Sequence, residues 1–289
     1  MSGSIEVSVA LCTCNGASYL REQLDSILAQ TRPVEEIVVG DDASTDETPE
    51  ILLDYAARFP ARFRLHLHAE RLGTVDNFGF VLGECRGRVI FLSDQDDVWK
   101  PRKVETMLAR FDDPRAMLVF TDGRLIDAAG TPIASTLWKA WRFDWATRLR
   151  WMRSSAAVRD LVHNRNKVTG ATAALRRELL DDCLPIRVPP GYWHDAWLAL
   201  HAAAHGGLRF LSEPLIDYRV HGRQQIGITP DVDLRPMGEA WSVSFAEFRE
   251  ALRERYPDHA QVLDDGPRPF RDSAFGTQLR SAWRALRPH

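Results

Sequence analysis

The sequence predicts an α/β fold in which helices cover both faces of a mainly parallel sheet. Over the first 130 residues, short apolar runs with β-branched residues alternate with segments whose apolar residues recur at helical spacing. Polar turns follow three of these runs. Parallel neighbours need long crossover connections, which the helical segments supply. Sheets of this type bind ligands beyond the carboxyl ends of their strands, so these turns are the first candidates for a functional site.

The elements of this half are expected in strict alternation. We expect strands at residues 5–11, 36–39, 63–67, 88–92 and 116–120. The helices between them are expected at residues 19–28, 46–58, 75–85 and 102–111.

The second half changes in character at about residue 131, where tryptophan and arginine become dense. We interpret this stretch as an inserted helical region whose aromatic and basic members are Trp138, Trp141, Trp145, Trp151, Arg142, Arg148, Arg150 and Arg153. Further along we expect a strand at 168–175, a helix from 192–195 to 205 and a strand at 215–220. Helical periods at 240–255 and 277–286 indicate a C-terminal helical extension.

Composition and charge narrow the class of protein. Apolar residues make up 45% and charged residues 27% of the 289, as in folded globular proteins. The formal charge of -3 does not suggest a nucleic-acid partner. The four cysteines are scattered and predict reduced thiols. With neither a signal-like start nor an apolar run of about 20 residues, we expect a cytoplasmic protein, and peripheral contact with the inner face of the membrane stays open.

Two acidic turns follow strands of the predicted sheet. Asp94, Asp96 and Asp97 come directly after the strand at 88–92, and Asp41 and Asp42 follow the strand at 36–39. Alone, such a turn is more commonly solvated or a helix cap. Two of them on one sheet edge favour a hard divalent ion that bridges a pyrophosphate, with carboxylates left for base or ribose. Neither Gly-x-Gly-x-x-Gly after the first strand nor a phosphate-loop motif occurs.

Several motifs in the same order resemble family 2 glycosyltransferases, and most closely the bacterial rhamnosyltransferase-like branch. They are Leu-Cys-Thr-Cys-Asn-Gly at 11–16, Val-Val-Gly-Asp-Asp-Ala-Ser-Thr-Asp at 38–46, Ser-Asp-Gln-Asp-Asp-Val-Trp at 93–99, His-Asp-Ala-Trp at 194–197 and Tyr-Arg-Val-His-Gly at 218–222. Cys14 departs from the usual Tyr, and Gly40 replaces a frequent Asp or Asn-like residue. Both departures leave the acidic positions intact.

The resemblance implies the GT-A fold and the transfer of a sugar, with inversion, from a nucleoside diphosphate sugar to a hydroxyl acceptor. It implies nucleotide-sugar contacts from Thr13, Asn15, Asp41, Asp42, Asp94 and Gln95. Asp96 and His221 would hold Mg²⁺ or Mn²⁺, supported by Asp97, His194 and Trp99. Asp195 would be the general base. The alternative for Asp195 is a first-turn residue favoured by the helix dipole.

The same resemblance predicts the domain organisation. Residues 1–227 would form the GT-A domain, with a nucleotide-sugar-binding half at 1–125 and an acceptor and catalytic half at 126–227. Residues 228–289 would be the helical extension. The first expectation for the donor is dTDP-rhamnose, and for the acceptor a saccharide or lipid-linked saccharide in bacterial polysaccharide or glycoconjugate assembly. The tryptophan-rich insertion could pack in the core, stack acceptor sugars or form an interfacial patch.

Two other functions stay open at this stage. One is a sugar-nucleotide-binding partner subunit without turnover. The other is a zinc-dependent hydrolase, because His201 and His205 are four residues apart on one expected helix face. The Glu that zinc hydrolases carry between such a pair is absent here.

Overall fold

The computed structural model describes residues 6–163, 166–222, 224 and 244–264. Within these residues the strands are β1 (Val7–Thr13), β2 (Glu36–Asp41), β3 (Phe63–Leu67), β4 (Val89–Ser93), β5 (Val98–Trp99), β6 (Leu118–Ile126), β7 (Pro132–Thr136), β8 (Ala173–Arg176) and β9 (Leu208–Arg219). The helices are α1 (Ala17–Leu28), α2 (Thr48–Arg58), α3 (Thr74–Glu84), α4 (Lys103–Leu108), α5 (Leu137–Ala140), α6 (Trp145–Trp151), α7 (Ser154–Val162), α8 (Leu180–Cys183), α9 (His194–Ala204), α10 (Phe245–Arg255) and α11 (Ala260–Asp264).

One sheet organises the described chain, with the strand order β3-β2-β1-β4-β8-β6-β9-β5 and β7 paired to β6. The first four strands are parallel, as the alternating pattern predicts. β8 is antiparallel to both β4 and β6, and β9 runs parallel to β6. The predicted α/β fold is therefore confirmed, with a parallel half and a mixed half. Every residue of β1, β2 and β4 is buried, because helices cover both faces there.

The expected strand at 168–175 is shorter in the structure. A 3-10 turn occupies Gly170–Thr172 before β8 begins. The physical reason is that the Gly170 backbone N–H donates to the Asp195 side chain rather than to a neighbouring strand. The expected helix at 277–286 and residues 240–243 of the preceding one lie outside the described residues.

The inserted helical region is present as α5, α6 and α7, and its aromatic residues separate into two groups. Trp138 and Trp151 are buried, and both contact Phe120 and Phe143. The core interpretation is therefore right for these two tryptophans. Trp145 is 72% exposed. None of the helices in the described part of the chain has the length and apolar character that a bilayer span requires.

Close packing at the end of β2 generates a stability prediction. A Cβ atom at Gly40 would lie 2.2 Å from Asn77 Oδ1 and 2.5 Å from Val81 Cγ2, and Asn77 donates to the Gly40 carbonyl. We expect Gly40→Ala to lower the free energy of unfolding by about 1–3 kcal/mol. Gly83→Ala is the matched control, because its Cβ would meet only Leu184 Cδ1 at 3.6 Å. Denaturant unfolding that finds both variants equally stable would contradict the packing.

Candidate active site

Asp41 joins the carboxyl ends of β1 and β2. Its carboxylate accepts hydrogen bonds from Thr13 Oγ1 (2.7 Å), from Ser44 Oγ (2.6 Å) and from the Ser44 backbone N–H (3.0 Å). Asn15 has a positive φ of 52° and accepts from the Thr45 backbone N–H through Oδ1 (2.8 Å). Thr13, Asn15 and Asp41 thus lie together in one hydrogen-bonded corner of the sheet.

Asp42 orders the loop that precedes α3. Its two carboxylate oxygens accept from the backbone N–H groups of Leu72 (2.6 Å) and Gly73 (3.1 Å), and the side chain is buried. A carboxylate has about four acceptor positions, so both Asp41 and Asp42 keep capacity for a further donor such as a ribose hydroxyl.

Gln95 connects the acidic loop to the turn after β1. Its Oε1 accepts from the Cys14 backbone N–H (2.7 Å), and its Nε2 donates to the Cys14 carbonyl (3.0 Å). A Cβ atom at Gly16 would lie 2.1 Å from this Oε1, so the contact needs glycine there. Since both ends of the amide bind Cys14, the structure gives Gln95 a positioning role for the loop.

The carboxylates of the acidic loop repel one another in a buried setting. Burial raises the pKa of Asp94 to about 7, and the charges of Asp96 and Asp195 add to this shift. Burial also raises the pKa of Asp97 well above its ordinary value, and Asp96 and Asp94 add to it. The Asp97 Oδ2 atom has no hydrogen-bond partner among the described residues. The loop is therefore a cluster of buried carboxylates, and a bound cation would relieve their mutual repulsion.

Lys103 is a buried cation beside this loop that the sequence-based prediction missed. Its Nζ donates to the Ala171 carbonyl (2.6 Å) and lies 3.9 Å from the centre of the Trp99 ring. Burial lowers its pKa to about 7, and the charges of Asp97 and Asp94 oppose that shift. The signal in the sequence is helical spacing: Lys103 precedes Met107 by four residues and so lies on the same face of α4, which is the buried face.

Arg219, also missed, holds the acidic loop from β9. Its backbone N–H donates to Asp97 Oδ1 (3.0 Å), and its Nε donates to the Asp96 carbonyl (2.9 Å). Its Nη2 pairs with Glu22 of α1, and its guanidinium lies 4.7 Å from the centre of the Tyr19 ring. The side chain is buried, at 2% exposure. The signal in the sequence is its position two residues before His221 in the last motif.

Asp96 and His221, which the resemblance implies as metal ligands, lie next to each other in the structure. His221 Nε2 lies 2.8 Å from Asp96 Oδ2, although the residues are 125 positions apart. The described residues contain no group of three His, Cys, Asp or Glu side chains able to hold a metal ion. Mg²⁺ is commonly bound by one or two carboxylates, with water and substrate phosphates completing its shell. Asp96 and His221 are a carboxylate and an imidazole, the donor types that such a partial site could use.

Asp195 lies in the first turn of α9, and its carboxylate faces the loop before β8. It accepts from Asn166 Nδ2 (3.0 Å), from the Gly170 N–H (3.2 Å) and from the Ala196 N–H (2.6 Å). Burial raises its pKa to about 6, while these hydrogen bonds oppose the shift. The charge of Asp195 also raises the pKa of Asp94, so the two carboxylates lie within electrostatic reach of each other. Asn166 and Gly170 were not anticipated from the sequence.

The other residues expected to support the site are buried packing residues. His194 stacks on Phe78, with ring centres 3.9 Å apart, and neither ring nitrogen has a hydrogen-bond partner among the described residues. Trp99 packs against Phe91 and beneath Lys103. Both residues therefore shape the surroundings of the loop and of α9 rather than present polar atoms to a ligand.

His201 and His205 have separate protein partners. His201 Nδ1 lies 2.5 Å from the Tyr256 hydroxyl, and His205 Nε2 lies 2.6 Å from Asp182 Oδ2. Each imidazole is thus bound to a different neighbour, which gives the zinc-hydrolase interpretation no support.

Comparison with known proteins decides the family. The family model described as glycosyl transferase family 2 matches residues 8–184. The chain belongs to this family. An uncharacterised protein of Mycobacterium tuberculosis is 31% identical over 259 residues, which cover 88% of this chain and 70% of that protein.

Solved structures of two proteins share the GT-A fold of this family 2 chain. S. aureus TarS 1-349 in complex with UDP superposes with a TM-score of 0.56 at 19% identity, over 75% of this chain and 61% of that one. The TarS 1-349 complex with UDP-GlcNAc superposes with a TM-score of 0.60 at 17% identity, over 97% of this chain and 72% of that one. The third structure is the mannosyltransferase PcManGT of Pyrobaculum calidifontis in complex with GDP-Man and Mn²⁺. It superposes with a TM-score of 0.55 at 23% identity, over 98% of this chain and 74% of that one. At these identities the likeness establishes the fold, as predicted.

The buried imidazole of His194 predicts a pH-dependent stability. Burial lowers its pKa to about 3, whereas the unfolded chain protonates a histidine near pH 6.5, about its ordinary value. The folded state therefore loses stability as the pH falls below about 6.5. We compare the free energy of unfolding of His194→Leu with that of wild type at each pH. The variant's value minus the wild-type value should rise by about 2 kcal/mol when the pH is lowered from 7.5 to 5. Denaturant unfolding at both pH values measures this, and an unchanged difference would contradict it.

Proposed function

We propose that this chain transfers a sugar from a nucleoside diphosphate sugar to a hydroxyl acceptor, with inversion at the anomeric carbon. The observation that carries the proposal is the turn at Gly170–Thr172, whose Gly170 N–H donates to Asp195 and whose Ala171 carbonyl accepts from Lys103 beside the acidic loop. This turn precedes β8, which is antiparallel to β4, so the acidic loop and Asp195, whose pKa burial raises to about 6, lie at the same end of the sheet. A proton acceptor and a loop of carboxylates at one end of the sheet suit glycosyl transfer.

The donor would lie across the carboxyl ends of β1, β2 and β4. Thr13, Asn15, Asp41 and Asp42 would contact the base and ribose, with Asp94 and Gln95 nearer the ribose and pyrophosphate. Asp96 and His221 would hold Mg²⁺ or Mn²⁺, supported by Asp97. The ion would supply positive charge to the leaving diphosphate. PcManGT was solved with GDP-Man and Mn²⁺, which supports the choice of a divalent ion for the same fold.

Asp195 would perform the proton transfer. As the acceptor oxygen bonds to the anomeric carbon, its proton passes to a carboxylate oxygen of Asp195. The bond between the anomeric carbon and the phosphate oxygen breaks, and its electron pair leaves with the nucleoside diphosphate. Asn166 and the Gly170 N–H hold the carboxylate in place, one at each of its two oxygens. A base with a pKa near 6 is largely ionised at neutral pH and still basic enough to assist attack.

The donor sugar and acceptor are the finer part of the proposal. Resemblance to the rhamnosyltransferase-like branch favours dTDP-rhamnose, whereas the two structural neighbours were solved with UDP-GlcNAc and GDP-Man. We propose a saccharide or lipid-linked saccharide acceptor in bacterial polysaccharide or glycoconjugate assembly. In this scheme, residues 1–125 serve the donor and 126–227 the acceptor. A non-catalytic subunit would bind donors equally well, so donor hydrolysis in the presence of Mn²⁺ separates the two functions.

The first test concerns Asp195. We expect Asp195→Asn to lower kcat by about 10²- to 10⁴-fold with little change in donor KM, because the amide cannot accept the proton. For the wild type, kcat/KM should fall about tenfold per pH unit below pH 6, where the carboxyl becomes protonated. Asp182→Asn, which alters a carboxylate near α9 that binds His205, is the control and should retain activity. Unimpaired transfer by Asp195→Asn would refute the mechanism.

The second test concerns the ion site. In a thermal-shift screen of UDP, GDP, dTDP and their sugars, we expect the correct nucleotide to raise the melting temperature more with Mn²⁺ than without it. Saturation at 100 times Kd stabilises by about 2.7 kcal/mol. The increment due to Mn²⁺ should disappear in Asp96→Ala and His221→Ala and persist in His205→Ala. A Mn²⁺ increment of unchanged size in Asp96→Ala would exclude the assigned ligands.

A further inference from the structure

The helix α6 carries an apolar face that the core of the insertion does not use. Trp145, Leu149 and Met152 are 72, 61 and 75% exposed. They are spaced by four and three residues and therefore lie on one side of α6 and its C-terminal cap. Three large apolar side chains on so short a helix form the kind of patch that marks an interaction surface.

Basic residues are dense in the segment that carries this apolar face. Residues 139–153 contain five basic side chains and one acidic one, in a chain whose formal charge is -3. The basic ones are Lys139, Arg142, Arg148, Arg150 and Arg153, and the acidic one is Asp144. Asp144 caps α6 by accepting from the Thr147 N–H, and Arg150 pairs with Asp160. Lys139, Arg142 and Arg153 are exposed. The local charge is thus opposite in sign to that of the whole chain, and it selects an anionic partner.

We propose that the face formed by Trp145, Leu149 and Met152 docks on the surface of an anionic phospholipid bilayer. Tryptophan favours the headgroup region, and an apolar helix face enters the boundary between headgroups and acyl chains. Nearby arginines add electrostatic attraction to anionic lipids. A second copy of this chain is a poorer occupant, because pairing two such faces would bring their arginines together and like charges repel.

The docking face is connected to the loop that holds the proposed base. Lys167 Nζ donates to the carbonyl of Trp141, four residues before Trp145 (2.7 Å). The preceding residue, Asn166, donates to Asp195 (3.0 Å). A bilayer bound at α6 would therefore lie on the acceptor side of the proposed site. Given the proposed function, this arrangement suits an acceptor carried on a lipid, with the transfer occurring at the membrane surface.

The experiment is vesicle co-sedimentation of the full chain. We expect wild type to bind vesicles of phosphatidylcholine with 30% phosphatidylglycerol, and to bind pure phosphatidylcholine at least tenfold more weakly. The triple variant Trp145→Ser, Leu149→Ser, Met152→Ser should lose at least tenfold in affinity for the anionic vesicles. The double variant Arg142→Glu, Arg153→Glu should lose the preference for anionic lipid. The matched control is Leu53→Ser with Leu67→Ser, two other exposed apolar residues, and it should bind as wild type does.

Three outcomes would overturn the proposal. Wild type that binds neither vesicle, or a triple variant that binds undiminished, excludes this face as the membrane contact. Concentration-dependent self-association that the triple variant alone loses, without vesicle binding, would assign the face to a second copy. Donor hydrolysis and the circular dichroism spectrum of the triple variant should match wild type, which excludes misfolding. Vesicle binding needs no turnover, so a chain that binds vesicles but transfers no sugar would refute the proposed function alone.

Discussion

The compensation of buried negative charge is the constraint on which the site depends. Asp94, Asp96 and Asp97 follow a fully buried strand, and isolated ions in such a place cost several kcal/mol each. Two buried basic residues partly compensate this negative charge. Arg219 binds the loop through its backbone and side chain, and Lys103 interacts electrostatically with Asp94 and Asp97. The compensation is incomplete, because the pKa values of Asp94 and Asp97 stay raised. The remaining excess of negative charge is the reason that we propose this loop as the cation site.

The change from parallel to antiparallel pairing brings the two halves of the site together. β8 runs antiparallel to β4, so the turn before it returns to the carboxyl end of β4. There, the Ala171 carbonyl accepts from Lys103, and the Gly170 N–H donates to Asp195. One short turn thus contacts both the cation behind the acidic loop and the proposed base. If β8 ran parallel to β4, the turn before it would lie at the opposite end of the sheet, away from the acidic loop.

The sequence predicted what periodicity and motifs encode, namely the parallel strands, their helices and the acidic loops. The resemblance assigned Asp96 and His221 to one ion, which stays a prediction, and the structure brings the two side chains within 2.8 Å of each other. Asn166 and Gly170 could not be anticipated, because their roles depend on where a loop without a motif folds back. Lys103 and Arg219 were missed for another reason: charged residues are rarely buried, so sequence reasoning assigns them to the surface. The exposure of Trp145 beside buried Trp151 likewise follows from tertiary packing.

The distance along the chain between the acidic loop and Arg219 constrains the order in which the protein can mature. The loop is made early, whereas the groups that hold it, the Arg219 N–H, its guanidinium and the His221 ring, come more than 120 residues later. During synthesis from the N-terminus, β1 to β4 emerge with this anionic turn unsatisfied. The turn can therefore reach its final conformation only after β9 has been made and has added to the sheet. The donor binding that we propose thus requires a chain synthesised at least through His221.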